Sequence, residues 1–190
     1  EMTLAERWRA IYGLRGEMVT MFYNGQNNLG SVKYNNEKTL EQIDLLPSAN
    51  LVYSFMEEMN IRASYNRTLA RPSFKEKSIA QIFDPVSRLT FLGNIDLEET
   101  HINNFDLRWE YFFTSDEMFS LSGFYKTFDG HIEFVALDTD RNSIKPRNSG
   151  NSTVYGAEIE FRKNLGFITP SLSNLAIGSN ISLVKSYVDL

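Results

Sequence analysis

The sequence predicts an all-β protein, an antiparallel up-and-down meander of about seven strands. Three observations predict it. Apolar and polar residues alternate with period two, most clearly where Met59, Ile61, Ala63 and Tyr65 oppose Asn60, Arg62, Ser64 and Asn66. The polar connections between such stretches alternate long and short. No stretch carries a convincing helical period.

Composition narrows the class. At 190 residues the chain is long enough for one domain, and 42% hydrophobic residues resemble an ordinary soluble protein. No run of about 18 apolar residues occurs, which excludes a transmembrane helix but not membrane strands, whose alternation keeps windowed hydropathy low. A net charge of −5 without a Lys/Arg cluster offers no face for nucleic acid. The absence of cysteine excludes disulfides and cysteine-based zinc sites. The chain opens on Glu1 without a signal peptide, as expected of a piece of something longer.

Taken in order, Trp8, Ala10, Tyr12 and Leu14 alternate with Arg7, Arg9, Arg15 and Glu17 in a first strand from Arg7 to Phe22. Tyr23 to about Asp44 is rich in Asn, Gln and Gly and reads as a loop. Leu45 to Phe55 alternates again, and Glu57-Glu58 turns it into the Met59 strand as a hairpin. That strand stops at Arg71-Pro72, because proline lacks a backbone donor. A long loop runs to about Thr100; then Phe105, Leu107, Trp109 and Tyr111 oppose Asn104, Asp106, Arg108 and Glu110. After a tight turn at Thr114 to Glu117, a strand starts at Phe119 and is read as far as Val135. A third polar loop covers Leu137 to Asn151. Thr153 to Arg162 and Leu175 to Val188 are the last strands, joined through Gly166 and Pro170.

In a meander, alternating connections place every long loop at one end and every short turn at the other. Membrane barrels have this asymmetry, and soluble sandwiches have no physical reason for it. Tyr53, Phe55, Trp109, Tyr111, Phe113, Phe119, Phe161 and Phe167 flank the short turns, where a girdle at one membrane interface would lie. The charged rows, including Arg62, Asp106, Arg108, Glu110, Glu158, Glu160 and Arg162, fall on the opposite, lumenal face and are expected to pair across strands. The alternative is a soluble β-sandwich binding carbohydrate, with the apolar rows as its core.

Several segments, in order, resemble TonB-dependent outer-membrane receptors: Gly13-Leu14-Arg15-Gly16-Glu17, Ala63 to Phe74 (ASYNRTLARPSF), Gly93-Asn94-Ile95-Asp96-Leu97, Asn104 to Phe112 (NFDLRWEYF), Phe124 to Phe128 with Ile132-Glu133, and Val154 to Glu160 (VYGAEIE). Ile95 and His131 stand where the family often has proline. The resemblance covers nearly the whole chain and matches the later part of the family's barrel. It implies residence in the bacterial outer membrane, no enzymatic activity, and active uptake of a scarce nutrient: siderophore, cobalamin, glycan or peptide. It implies as partners the outer-membrane lipid, the ligand, and the TonB complex acting through a plug domain. Residues 1–190 would be one partial barrel domain, with the plug, the TonB box and the remaining strands absent, since such barrels have about 22 strands. Its terminal strands would be bare edges able to pair with another copy.

Candidate ligand contacts lie in the long loops. Tyr23, Asn27, Tyr34 and Asn36 offer rings and amides suited to sugars or peptides. Phe74, Lys75, Phe83 and Arg88, with Arg141, Lys145 and Arg147, suit an anionic ligand such as a ferric chelate. No catalytic, cofactor or metal residue is assigned. His101 and His131 lack metal-ligand spacing. Asp138 to Asn142 imitates an EF-hand start, but Ser143 and Ser149 replace the glycine and the bidentate glutamate. Glycine-rich phosphate loops and a nucleophile elbow are absent. Asn66-Arg67-Thr68 and Asn151-Ser152-Thr153 fit a glycosylation pattern that carries little meaning in a bacterial protein.

Overall fold

The computed structural model describes residues 2–189, and for residues 2–5 the backbone alone. Its main sheet is an antiparallel meander of β1 (Met2–Ala5), β2 (Trp8–Gln26), β3 (Lys33–Met56), β4 (Met59–Ala70), β7 (Thr100–Phe112), β8 (Met118–Asp129), β11 (Ser152–Asn164) and β12 (Ala176–Val188). These are the seven expected strands plus the short β1. The second sheet, in order β5-β6-β10-β9, is built from the long connections: β5 (Gln81–Asp84), β6 (Leu89–Leu92), β9 (Ile132–Leu137) and β10 (Asp140–Asn148). Among the described residues the only helical pieces are two 3-10 turns between β11 and β12.

Register keeps each side chain on its expected face. One row runs Tyr12, Ala49, Tyr65, Phe105, Tyr125 and Tyr155. The next rows towards the short turns contain Leu51, Ala63, Leu107 and Leu183, then Trp8, Tyr53, Ile61, Trp109, Leu121 and Ile159. These apolar side chains are bare: Tyr12 is 73% exposed, Leu14 70%, Met18 77% and Leu107 57%. A soluble sandwich would bury them under a second sheet, and no layer covers them here. That sets the sandwich alternative aside. The buried apolar residues, Leu40, Leu46, Val52, Phe91 and Leu97, belong to the polar face of β3 and to the long loops instead.

The aromatic girdle forms at the short turns. Trp8 stacks on Tyr53 at 4.3 Å, Trp109 meets Phe119 edge-on at 5.9 Å, and Tyr111 meets Phe113 at 4.4 Å. The aromatic row through Tyr65 and Phe105, 4.9 Å apart, is a second level nearer the long loops. It was not evident from the strands taken singly, because it emerges only once register aligns them.

Three loop assignments and one strand end are corrected, the first being the loop from Pro72 to Thr100, which carries the antiparallel pair β5 and β6. Tyr23 to Asp44 is mostly strand: β2 and β3 stay paired to Gln26↔Lys33, leaving a turn at Asn27–Val32. The polar composition fits a ribbon that is wet over most of its length, from Lys33 to Thr39, before Leu40 and Asp44 become buried. The strand from Phe119 ends at Asp129, since Gly130 takes a left-handed φ of +66° and breaks the run before β9. The loop from Leu137 to Asn151 contains β10, which pairs with β9 as a hairpin and with β6 in parallel through Ser143↔Thr90 and Ile144↔Phe91.

Candidate functional site

The polar face is a wall of paired charges. Arg108 donates from Nε to Glu110 Oε1 and from Nη2 to Glu160 Oε2, both at 2.8 Å, while Arg62 approaches Glu110 Oε2 at 3.5 Å. Glu110 is buried, so these partners replace the water it has lost. The expected cross-strand pairing is present, spanning β4, β7 and β11.

Above this wall the sheet splits. Pairing of β3 with β4 ends at Ser48↔Asn66, while β4 and β7 continue together to Ala70↔Thr100 and β2 and β3 continue on their own. Arg71, Glu99 and His101 follow the β4–β7 positions whose side chains face the apolar side lower down. Here they meet Glu17 and Asp44, which belong to the polar face of β2 and β3. The β4–β7 ribbon therefore folds across the polar face of its neighbours, covering the inward side chains Leu40, Asp44 and Leu46.

A dense polar cluster holds it there. Arg71 donates from Nε to Glu99 Oε1 and from Nη1 to Glu17 Oε2, each at 2.7 Å, and Arg15 pairs with Glu17 Oε1 at 2.7 Å. His101 Nε2 lies 2.7 Å from Asp44 Oδ1. Burial, reinforced by the adjacent Asp44 carboxylate, pushes the Glu99 carboxyl above its ordinary value, with Arg71 opposing. Glu99 Oε2, Asp44 Oδ2 and Arg71 Nη2 are buried without a hydrogen-bond partner. A polar cavity of about 120 Å³, lined by Gln42, Glu99, His101, Asp129 and Asn148 among others, opens beside them.

The two long connections are clasped together. Asn148 receives the Glu98 N–H at Oδ1 (2.8 Å) and donates from Nδ2 to the Glu98 carbonyl (3.1 Å), copying a backbone ladder with one amide side chain. Lys77 is buried and donates to the Leu97 carbonyl at 2.6 Å, and burial pushes its ammonium below the ordinary lysine range. Tyr23 reaches this segment from β2: its hydroxyl accepts the Ile79 N–H at 3.3 Å and lies 3.4 Å from Ser78 Oγ.

The sequence-predicted ligand residues divide by role. Tyr23 and Tyr34 come together edge-on at 6.0 Å, but the Tyr23 hydroxyl is engaged with the loop. Asn27 closes its own turn by bonding Ser31 and the Val32 N–H, and Asn36 holds a left-handed φ of +54°. Phe74 and Phe83 are exposed, whereas Lys75 lies 4.8 Å over the Phe91 ring. Arg88 occupies the β5–β6 turn at φ +59°. Arg141, Lys145 and Arg147 all lie on β10, where Arg147 faces Glu133 at 3.5 Å. Phe83, Arg88, Arg141, Lys145 and Arg147 thus share the small second sheet and its turns. Asp140 is engaged in its own turn, accepting from Asn142 N and Ser143 Oγ. His131 lies near Gly150 O and Glu133.

Reasoning from sequence missed Asp44, Glu99 and the role of His101. The local signal was Glu99-Thr100-His101, whose spacing of two sets both side chains on one face of an extended chain. Asp44 comes from another hairpin, and no local pattern announces it.

Solved structures similar to this chain include receptors and transporters. A siderophore receptor, PirA of Pseudomonas aeruginosa, superposes with a TM-score of 0.60 at 16% identity, over 77% of this chain and 26% of that one. The ferric citrate transporter FecA in its unliganded form gives 0.65 at 17% identity, over 96% and 24%. The copper transporter OprC gives 0.66 at 14% identity, over 97% and 26%. At such identities the likeness concerns the fold, and the chain spans about a quarter of the length of these structures. No curated protein sequence matches. The family profile described as TonB dependent receptor-like, beta-barrel, matches residues 1–188. With that match over nearly its whole length, an uncovered apolar face and a charged inner wall, the chain belongs to the TonB-dependent receptor β-barrel family.

Proposed function

We propose that residues 1–190 form part of the barrel wall and outer loops of an outer-membrane receptor that takes up a scarce nutrient. The remaining strands and a plug domain would come from the rest of that receptor, and the TonB complex would supply energy through the plug. The observation that carries this reading is the pairing of opposite faces: bare apolar rows suited to lipid, and an ion-paired polar face suited to a wet lumen. The chemistry of such a wall and its loops is binding and passage.

The ligand-facing surface is the small sheet with the turn that precedes β5, carrying Phe83, Arg88, Arg141 and Lys145 on the sheet and its turns and Phe74 before it, at exposed or half-exposed positions. Cationic groups beside exposed rings favour an anionic ligand with flat apolar parts, such as a ferric chelate. Siderophore receptors among the structural neighbours agree with that class. Glycan, peptide and cobalamin are the competing cargoes.

Uptake by cells carrying the parent receptor tests the reading, with ferric chelates, cobalamin, glycans and peptides compared in the presence and absence of a working TonB complex. Energy-dependent uptake of one class, lost on deletion of the receptor, supports it. Passage that persists without TonB would mean a passive pore and would overturn it.

A further inference from the structure

We propose that Asp44, Glu99 and His101 form a binding site for a divalent first-row transition-metal ion of the zinc class, which locks the β4–β7 ribbon onto β3. One ligand atom from each residue lies within 4.8 Å of the other two. Metal–ligand bonds of about 2.0–2.2 Å place ligands up to about 4 Å apart, so a small side-chain contraction closes the site.

Two observations independent of residue type point to an ion. With both carboxyls ionised, Asp44 Oδ2 and Glu99 Oε2 are buried acceptors without a donor, and a cation between them would take the place of a proton shared by the pair. Glu99 is 5% exposed as a residue and 1% in its side chain, so an orphaned carboxylate oxygen here is costly. Arg71 satisfies Glu99 Oε1 and leaves Oε2 free, and His101 does the same at Asp44, holding Oδ1 and leaving Oδ2 free. Charge points the same way: Glu17, Asp44 and Glu99 are three carboxylates against two guanidinium groups, Arg15 and Arg71. The adjoining cavity of about 120 Å³ provides a route of entry and room for water as a fourth ligand.

The donor set selects the ion. An imidazole nitrogen with two carboxylates suits zinc and its neighbours, whereas calcium and magnesium demand oxygen throughout. The ligand form of His101 would be the neutral Nδ1–H tautomer, whose Nε2 lone pair, on the nitrogen that lies 2.7 Å from Asp44 Oδ1, is free to take the metal. His101 and Glu99 lie on the ribbon and Asp44 on β3, so the ion bridges two elements whose backbone pairing has already ended. That makes the site a clamp rather than a passive ornament of the wall.

The test uses the whole parent receptor, purified in detergent and stripped with chelator, and titrated with Zn²⁺ against a chromophoric competitor. The wild type should bind one more Zn²⁺ than His101→Ala or Glu99→Gln, or bind it at least about tenfold more tightly, since even partners outside a ligand set change affinity 10–100-fold. Asp44→Asn keeps a hydrogen-bond acceptor for His101 and guards against mere misfolding; it should also weaken binding. Co²⁺ should give a visible absorption band in the wild type that His101→Ala lacks. Hydrogen exchange across residues 67–71 and 99–103 should slow with Zn²⁺ in the wild type alone. Absence of Zn²⁺ binding by the wild type, or binding unchanged by the three substitutions, would overturn the proposal.

Discussion

Ala63 and Ser64 are adjacent residues that the sheet sends to opposite faces, and an arginine at each isolates the effect of the face from that of position. Ala63 is exposed in the row with Leu51 and Leu107. Ser64 looks the other way and donates to Asp106 Oδ2 at 3.4 Å. Leu107, the register partner of Ala63, is four residues from Tyr111, which at about 3.3 Å per residue and a tilt near 40° is about 10 Å along the membrane normal. In an apolar band about 25 Å tall this is close to the middle, where an arginine facing lipid costs roughly 2–4 kcal/mol. Ala63→Arg should therefore lower the folded-to-unfolded ratio by about 30- to 800-fold. At Ser64 the new guanidinium meets water and the Asp106 carboxylate, so Ser64→Arg should stay within about 0.5 kcal/mol of wild type. The assay is urea unfolding of the parent receptor in lipid vesicles, with heat-modifiable gel mobility as a check of assembly. Leu107→Arg should behave like Ala63→Arg. Equal costs at 63 and 64, or a greater cost at 64, would refute the assignment of faces.

Two further outcomes follow from local geometry. A Cβ on Gly93 would stand 1.8 Å from the Ser78 carbonyl oxygen, so Gly93→Val must push β6 off the preceding turn. We expect a cost of about 1–3 kcal/mol confined to the loops, seen as faster proteolysis between residues 71 and 99 with unchanged barrel mobility on gels. Glu117, in the turn before β8, accepts from Lys163 Nζ at 2.7 Å and from the Asn164 N–H at 3.1 Å, and Lys163 holds its carboxyl below the usual 4.5. A depressed carboxyl stabilises the fold above its unfolded value and loses that contribution as pH falls through the lower folded value. Acid should therefore loosen this turn below about pH 4.5, and Glu117→Gln should flatten the response in a stability-versus-pH titration.

Strand membership and facing were legible where a strand separates two environments, because lipid on one side and water on the other impose period two. Met59 to Asn66 and Asn104 to Tyr111 are such places, and both keep their predicted faces. The signal disappears where both faces are wet. Lys33 to Thr39 is such a segment, strand by hydrogen bonding, with a polar composition that reads as loop. The small second sheet was invisible for a related reason: its parallel pairing of β6 with β10 joins residues more than fifty positions apart. Distance also hid the cluster at Asp44, which depends on β4 leaving β3 after Asn66 and folding inward. The charged rows were read correctly as a set, while the particular partners, Arg108 with Glu110 and Glu160, required the register.

Along β7, positions 105, 107, 109 and 111 face lipid, and positions 104, 106, 108 and 110 face water. The chain has no cysteine of its own, which favours single-cysteine spin labelling at each position from Asn104 to Tyr111. Power-saturation measurements on the parent receptor in lipid vesicles would compare relaxation by oxygen, which concentrates in lipid, with relaxation by a water-soluble nickel chelate. Labels at 105, 107, 109 and 111 should respond to oxygen, and labels at 104, 106, 108 and 110 to nickel, alternating without a break. A flat profile, or one with the parity reversed, would contradict the account.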